Sequence, residues 1–141
     1  MSDLPIKKNN SNMKSLEELI ELISNRRDAL PFQEPVDYVG LGLTDYPLIV
    51  KQMMDLGTVS RKLENREYST VRDCLDDLQL IWDNCKLYNA EFSNIYKVAL
   101  RLEEFMQKQI ETKFGQVEYG KNNPSYKLLN EELKPEDVTD E

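Results

Sequence analysis

The chain has 141 residues, 40% of them hydrophobic, enough for one domain with a real core and too few for two. A formal net charge of -8 argues against a broad basic surface for nucleic acid or an anionic membrane, and it favours basic partners. Histidine is absent, which removes the commonest general base and the commonest transition-metal ligand, and no long apolar run or hydrophobic leader is present, so a soluble intracellular protein without a cofactor is expected.

Residues 1–13 are polar and aperiodic and read as a disordered leader. Ser15 with Glu18 forms a capping-box pattern, after which Leu16, Leu19, Ile20 and Ile23 recur at helical spacing until Arg26 and Arg27, cations suited to a helix C-terminus. From residue 29 to 55 the periodicity stops. Pro31, Pro35, Gly40, Gly42 and Pro47 punctuate a connection of a length that is uncommon in a compact domain and usually functional. It is also apolar, with Leu30, Phe32, Val36, Tyr38, Val39, Leu41, Leu43 and Tyr46, so it must pack on something. Asp45 with Pro47 starts a short helical turn running to about Lys51.

Asp55 is placed to cap a helix carrying Leu56, Val59 and Leu63 and ending near Asn65. Thr70 with Asp73 then opens the helix around which the rest is organised: Val71, Cys74, Leu75, Leu78, Ile81, Trp82, Cys85 and Tyr88 make one apolar stripe about 27 Å long. Asn89, a residue type that tolerates the left-handed conformation, is expected to close it. Cys74 and Cys85 lie eleven residues apart on that stripe, roughly 16 Å along the axis and beyond disulfide reach, so both read as buried thiols. Ser93 caps a last helix bearing Ile95, Val98, Ala99, Leu102, Phe105, Met106 and Ile110. Residues 114–141 read as an acidic tail, with a short docked helix on Leu128, Leu129 and Leu133 as the alternative.

The chemistry open to this chain is narrow. Gly40 and Gly42 are a lone pair outside any phosphate-loop context, and the carboxylate pairs Glu17-Glu18, Asp76-Asp77 and Glu103-Glu104 fall on predicted solvent faces. No enzymatic function is supported. In an antiparallel bundle the apolar loop leaving the first helix meets the end of the central helix, which carries Asn89. Apolar walls around one primary amide suit a small ligand whose orientation one polar group fixes.

The segments Phe32-Gln33-Glu34-Pro35-Val36-Asp37, Asp45-Tyr46-Pro47, Met54-Asp55-Leu56-Gly57-Thr58, Leu63-Glu64-Asn65 and Asn84-Cys85-Lys86-Leu87-Tyr88-Asn89 resemble, in order and separation, those of a bromodomain. The likeness covers residues 14–113, and the loop is most similar to those of double-bromodomain co-regulators and acetyltransferase-linked bromodomains. It implies an all-α fold, a left-handed up-down four-helix bundle with a long ordered loop between its first two helices, and an acetyl-lysine pocket. Carried over, Asn89 would donate to the acetyl carbonyl and Tyr46 would hold a bridging water. Val36, Leu41 and Leu43 would line the loop wall, Phe32 the floor, Leu30 and Pro31 the shelf, Ile95 the opposite wall, and Tyr88 would close the pocket. The implied partners are acetylated histone tails of the H3 or H4 type or other acetylated chromatin proteins, read in the nucleus by a monomeric domain; a helical scaffold with a degenerate pocket is the alternative. Acidic Glu34, Asp45 and Glu91 near the rim would attract a basic tail. The chain departs from the family at Leu30, where a tryptophan is usual, at Met53, where a proline is usual, and in the turn Ala90-Glu91-Phe92-Ser93, whose Phe92 is expected as an aromatic lip on the pocket mouth.

Overall fold

The apolar stripes become the inner faces of four long helices. The computed structural model describes residues 11–114, Ser11 by its backbone alone. Helix α1 (Ser11–Ser24) is followed by a 3-10 helix (Arg27–Phe32), the single-turn α2 (Tyr46–Ile49), α3 (Leu56–Glu64), α4 (Val71–Tyr88) and α5 (Asn94–Phe114), with no strand among the described residues. α4 packs on α3 and α5, and α1 packs on the same two, so the four long helices close a ring around one core. Short connections between α3, α4 and α5 make antiparallel neighbours of them. The long loop instead spans from α1 to α3.

Leu16, Leu19 and Ile23 from α1, Val59 from α3, Leu75, Leu78 and Trp82 from α4, and Leu102, Met106 and Ile110 from α5 are buried together. Each such side chain contributes about 1.5–3 kcal/mol on leaving water. The indole N–H of Trp82 donates to Met106 Sδ at 3.3 Å, so the largest buried ring has a partner for its one polar atom. Three helix starts are capped as their residue types predict. The Asp55 carboxylate accepts from the Thr58 N–H at 3.0 Å and from its hydroxyl at 2.6 Å, Thr70 Oγ1 accepts from the Asp73 N–H at 3.1 Å, and Ser93 Oγ accepts from the Tyr96 N–H at 3.3 Å.

Several expectations are corrected. α1 already includes residues 11–13, assigned to the leader from sequence, because Asn12 and Met13 are buried. Ser15 consequently lies inside the helix and caps nothing. α1 stops at Ser24, so Arg26 and Arg27 follow it; Arg26 pairs with Asp28 at 3.1 Å and lies 4.7 Å over the Phe105 ring. The segment expected to be loop from residue 29 is 3-10 helix as far as Phe32. Ala29 and Phe32, three apart, share one face there and are both buried.

In two of the acidic pairs one member turns inward, while Glu104 is exposed and Asp76 partly so. Asp77 is buried and receives Lys62 Nζ at 2.8 Å and the Tyr68 hydroxyl at 2.6 Å, while half-buried Glu103 receives Gln79 Nε2 at 2.6 Å and Lys86 Nζ at 2.8 Å. Residues 1–10 of the leader, and the tail from 115 with its proposed helix at Leu128, Leu129 and Leu133, lie outside the described residues.

Candidate functional site

The long loop is fastened at both ends by side chains that seek backbone partners. Gln33 Nε2 donates to the Ser24 carbonyl at 2.7 Å, and the Gly57 N–H donates to the Gln33 carbonyl at 3.1 Å, tying the loop's start to α1 and α3. Asn84 Nδ2 in α4 donates to the Gln52 carbonyl at 2.7 Å, tying its end to the central helix. Between these ties residues 37–43 close a turn of their own. The N–H groups of Leu41, Gly42 and Leu43 donate to the carbonyls of Asp37, Val39 and Tyr38 at 2.9, 3.1 and 2.8 Å, and the Gly40 N–H donates to Asp37 Oδ1 at 2.9 Å. Gly42 has φ +71°, and a Cβ at Gly40 would collide with the Asp37 carboxylate, so the two glycines are what this turn requires.

Between that loop, the end of α4 and the start of α5 lies a cavity of about 540 Å³. Its lining includes all ten side chains singled out from sequence: Leu30, Pro31, Phe32, Val36, Leu41, Leu43, Tyr46, Tyr88, Asn89 and Ile95. Phe32 sits on the floor with its ring edge-to-face with Trp82, the centroids 5.3 Å apart. Leu30 and Leu41 belong to the lining and are exposed. Phe92 does not form a lip. It is 83% exposed and outside the lining, as is Glu91.

The polar groups are few and oriented. Asn89 leaves α4 in an extended conformation, φ -102° and ψ 150°, rather than the left-handed one expected; its backbone N–H and its side-chain Nδ2 both donate to the Cys85 carbonyl at 3.0 Å. The same Nδ2 also lies 3.6 Å from Cys85 Sγ, a weak acceptor, so the amide is oriented by its own helix while it stands on the cavity lining. The Tyr46 ring is buried between two others, stacked on Tyr38 (centroids 5.9 Å, 19°) and edge-on to Tyr88 (4.9 Å, 68°). Its hydroxyl makes no hydrogen bond to another described residue, and burial holds its pKa above the ordinary value. Tyr88 donates its hydroxyl to Asp45 Oδ1 at 2.6 Å, and that bond raises its own pKa.

Sequence reasoning missed part of the wall. Met54, Ile81, Asn84 and Cys85 also line the cavity. Ile81 and Cys85 stand eight and four residues before Asn89, on the same helical face, so the signal was present in the spacing. The Cys85 thiol donates to the Ile95 carbonyl at 3.5 Å and is pushed up to about 11 by burial, which makes it a wall group rather than a nucleophile. Two carboxylates, Glu34 and Asp37, reach the lining, and both are exposed at its edge. No group of three His, Cys, Asp or Glu among the described residues is arranged to hold a metal ion.

A family model described as Bromodomain matches residues 16–101. The chain is 40% identical over 97 residues to Transcription factor GTE1 of Arabidopsis thaliana, covering 68% of this chain and 25% of that protein. It is 36% identical over 92 residues to the SWR1 complex bromodomain subunit bdf1 of Schizosaccharomyces pombe, covering 65% of this chain and 16% of the relative. It is also 38% identical over 94 residues to an ankyrin repeat, bromo and BTB domain-containing protein of Dictyostelium discoideum, covering 67% and 12%. The chain thus spans a quarter or less of the length of these curated relatives.

Proposed function

Because the chain belongs to the bromodomain family, we propose that it is a non-catalytic binding module that recognises N-acetyl-lysine in histone tails or other chromatin proteins, in the nucleus, through a folded unit that includes residues 11–114. The observation that carries this reading is Asn89: a side-chain amide whose Nδ2 meets the Cys85 carbonyl at 3.0 Å and the weakly accepting Cys85 Sγ at 3.6 Å, on the wall of a cavity whose remaining inner surface is mostly apolar; a ligand carbonyl would take the N–H that now faces the thiol. An acetylated lysine has lost its charge, so its stem and methyl enter such a slot without penalty, whereas an ammonium would be desolvated with no carboxylate deep inside to receive it. Tyr46, with an uncommitted hydroxyl, would hold a water against the same carbonyl, and the exposed Glu34 and Asp37 would meet the basic residues of a tail at the mouth. The names of two relatives, a transcription factor and a chromatin-complex subunit, support the chromatin setting.

The test is titration of acetylated and unmodified histone H3 and H4 tail peptides against the wild-type domain and Asn89→Ala, at low and high salt. Binding should require the acetyl group. Asn89→Ala should lose about 1–3 kcal/mol, roughly five- to 150-fold in Kd. Equal binding by Asn89→Ala, or no binding of any acetylated peptide, would leave the molecule better described as a helical scaffold with a degenerate pocket.

A further inference from the structure

Tyr46 is a buried residue of the cavity lining whose polar group no hydrogen bond to a described residue orients. Its hydroxyl has no partner among the described residues, so the direction in which it points is set by what packs on its ring. Two rings do so. Tyr88 meets it edge-on and is itself latched to Asp45 across 43 positions of sequence, while Tyr38 stacks nearly parallel on it, at 5.9 Å and 19°. Tyr38 also belongs to the turn of residues 37–43: its carbonyl accepts the Leu43 N–H at 2.8 Å, and its own N–H donates to the Val36 carbonyl at 3.0 Å. Val36 and Leu43 are lining residues, whereas Tyr38 is not.

We infer that Tyr38 is a positioning residue for the pocket: by stacking on Tyr46 it aims that hydroxyl into the cavity and seats the turn that carries Leu41 and Leu43. The inference rests on the acetyl-lysine reading above and adds to it a residue outside the contact surface. The mechanism is specific about chemistry. The stack needs an aromatic plane and not the Tyr38 hydroxyl, which makes no hydrogen bond to a described residue. Offset stacking is also a restraint on angle as well as position, which apolar bulk of another shape does not supply.

The test uses the acetylated histone H3 and H4 tail peptides and four variants: Tyr38→Phe, Tyr38→Ala, Tyr46→Phe, and Tyr38→Ala combined with Tyr46→Phe. Tyr38→Phe should bind as the wild type does. Tyr38→Ala should weaken binding about three- to tenfold, with Asn89 still required. In the Tyr46→Phe background, where there is no hydroxyl left to aim, the same alanine change should cost clearly less. A residue that only stabilised the fold would cost the same in both backgrounds. Should Tyr38→Ala lose its helical circular dichroism, Tyr38→Leu, which keeps bulk without the plane, makes the same comparison. Wild-type affinity in Tyr38→Ala, or equal losses in the two backgrounds, overturns the inference and leaves the pocket reading standing. Absence of acetyl-dependent binding by the wild type overturns both.

Discussion

At Asn89 the role of helix cap and the proposed role of ligand donor are compatible. Taken alone, an asparagine at the last turn of a helix is most simply a cap, and here its side chain does bond the Cys85 carbonyl. With the contact from the same Nδ2 to Cys85 Sγ at 3.6 Å, that bond orients the amide on the cavity lining, and under the proposed reading the cap is what positions the donor. Asn84 acts on the loop in a comparable way. Its amide, on a residue only 7% exposed, reaches the Gln52 carbonyl next to Met53, the position where the family usually has a rigid proline. We expect Asn84→Ala to lower stability by about 1 kcal/mol, read as a lower urea midpoint with an unchanged slope. An unchanged midpoint would mean that the loop is held without this tie. The Asn84 tie was not legible from residue type: an asparagine within a helix does not say which backbone group it will meet 32 positions away.

Among the elements, α3 depends most on its start. It has nine residues, few for a helix to persist on propensity alone, and its first turn is held by the doubly bonded Asp55 carboxylate, itself buried. Replacing Asp55 with alanine removes both bonds and should cost about 1–2 kcal/mol. In a domain of this size each kcal/mol lowers the melting temperature by about 4–8 °C, so thermal denaturation followed by circular dichroism decides the point; a shift under 2 °C, on the order of a few tenths of a kcal/mol, would show the cap to be dispensable. The starts of α3, α4 and α5 could be read from Asp55, Thr70 and Ser93 because a cap is a local bond. The start of α1 could not, because burial of Met13 by the bundle outweighs the local pattern at Ser15. The 3-10 helix escaped for a similar reason: Pro31 looks like a breaker, yet a 3-10 turn accommodates it while Ala29 and Phe32 are drawn into the core.

For the molecule as a whole, burial of titratable groups sets a pH dependence whose sign follows from direction alone. Tyr68, beneath Lys62 and donating to Asp77, and the thiols of Cys74 and Cys85 all have pKa values raised, with desolvation the leading cause in each. Their protonated forms are favoured in the fold. The contribution is therefore complete below the ordinary thiol value of 9.0 and is lost as pH rises, first through ionisation of the unfolded thiols and then of the unfolded phenol near 10.0. The urea midpoint should fall between about pH 8 and about pH 10.5, and Cys74→Ala should flatten part of that fall; a level midpoint would contradict the burial of these groups. Asp28 works in the opposite direction. Held low chiefly by its bond to Arg26, it stabilises above its ordinary value of 3.8 and loses that effect as acid protonates it, only modestly because its side chain is 23% exposed. The sequence by itself determined the helical class, the stripes of α3, α4 and α5, and the meeting of an apolar loop with Asn89, since periodicity, capping and chain connectivity are local properties. Tertiary structure alone decided that Asp77 and Glu103 turn inward, that Asn89 is extended rather than left-handed, that Phe92 stays in water, and that Tyr38 backs Tyr46. Each of those outcomes depends on which distant group arrives at the same place, and that is a matter of packing rather than pattern.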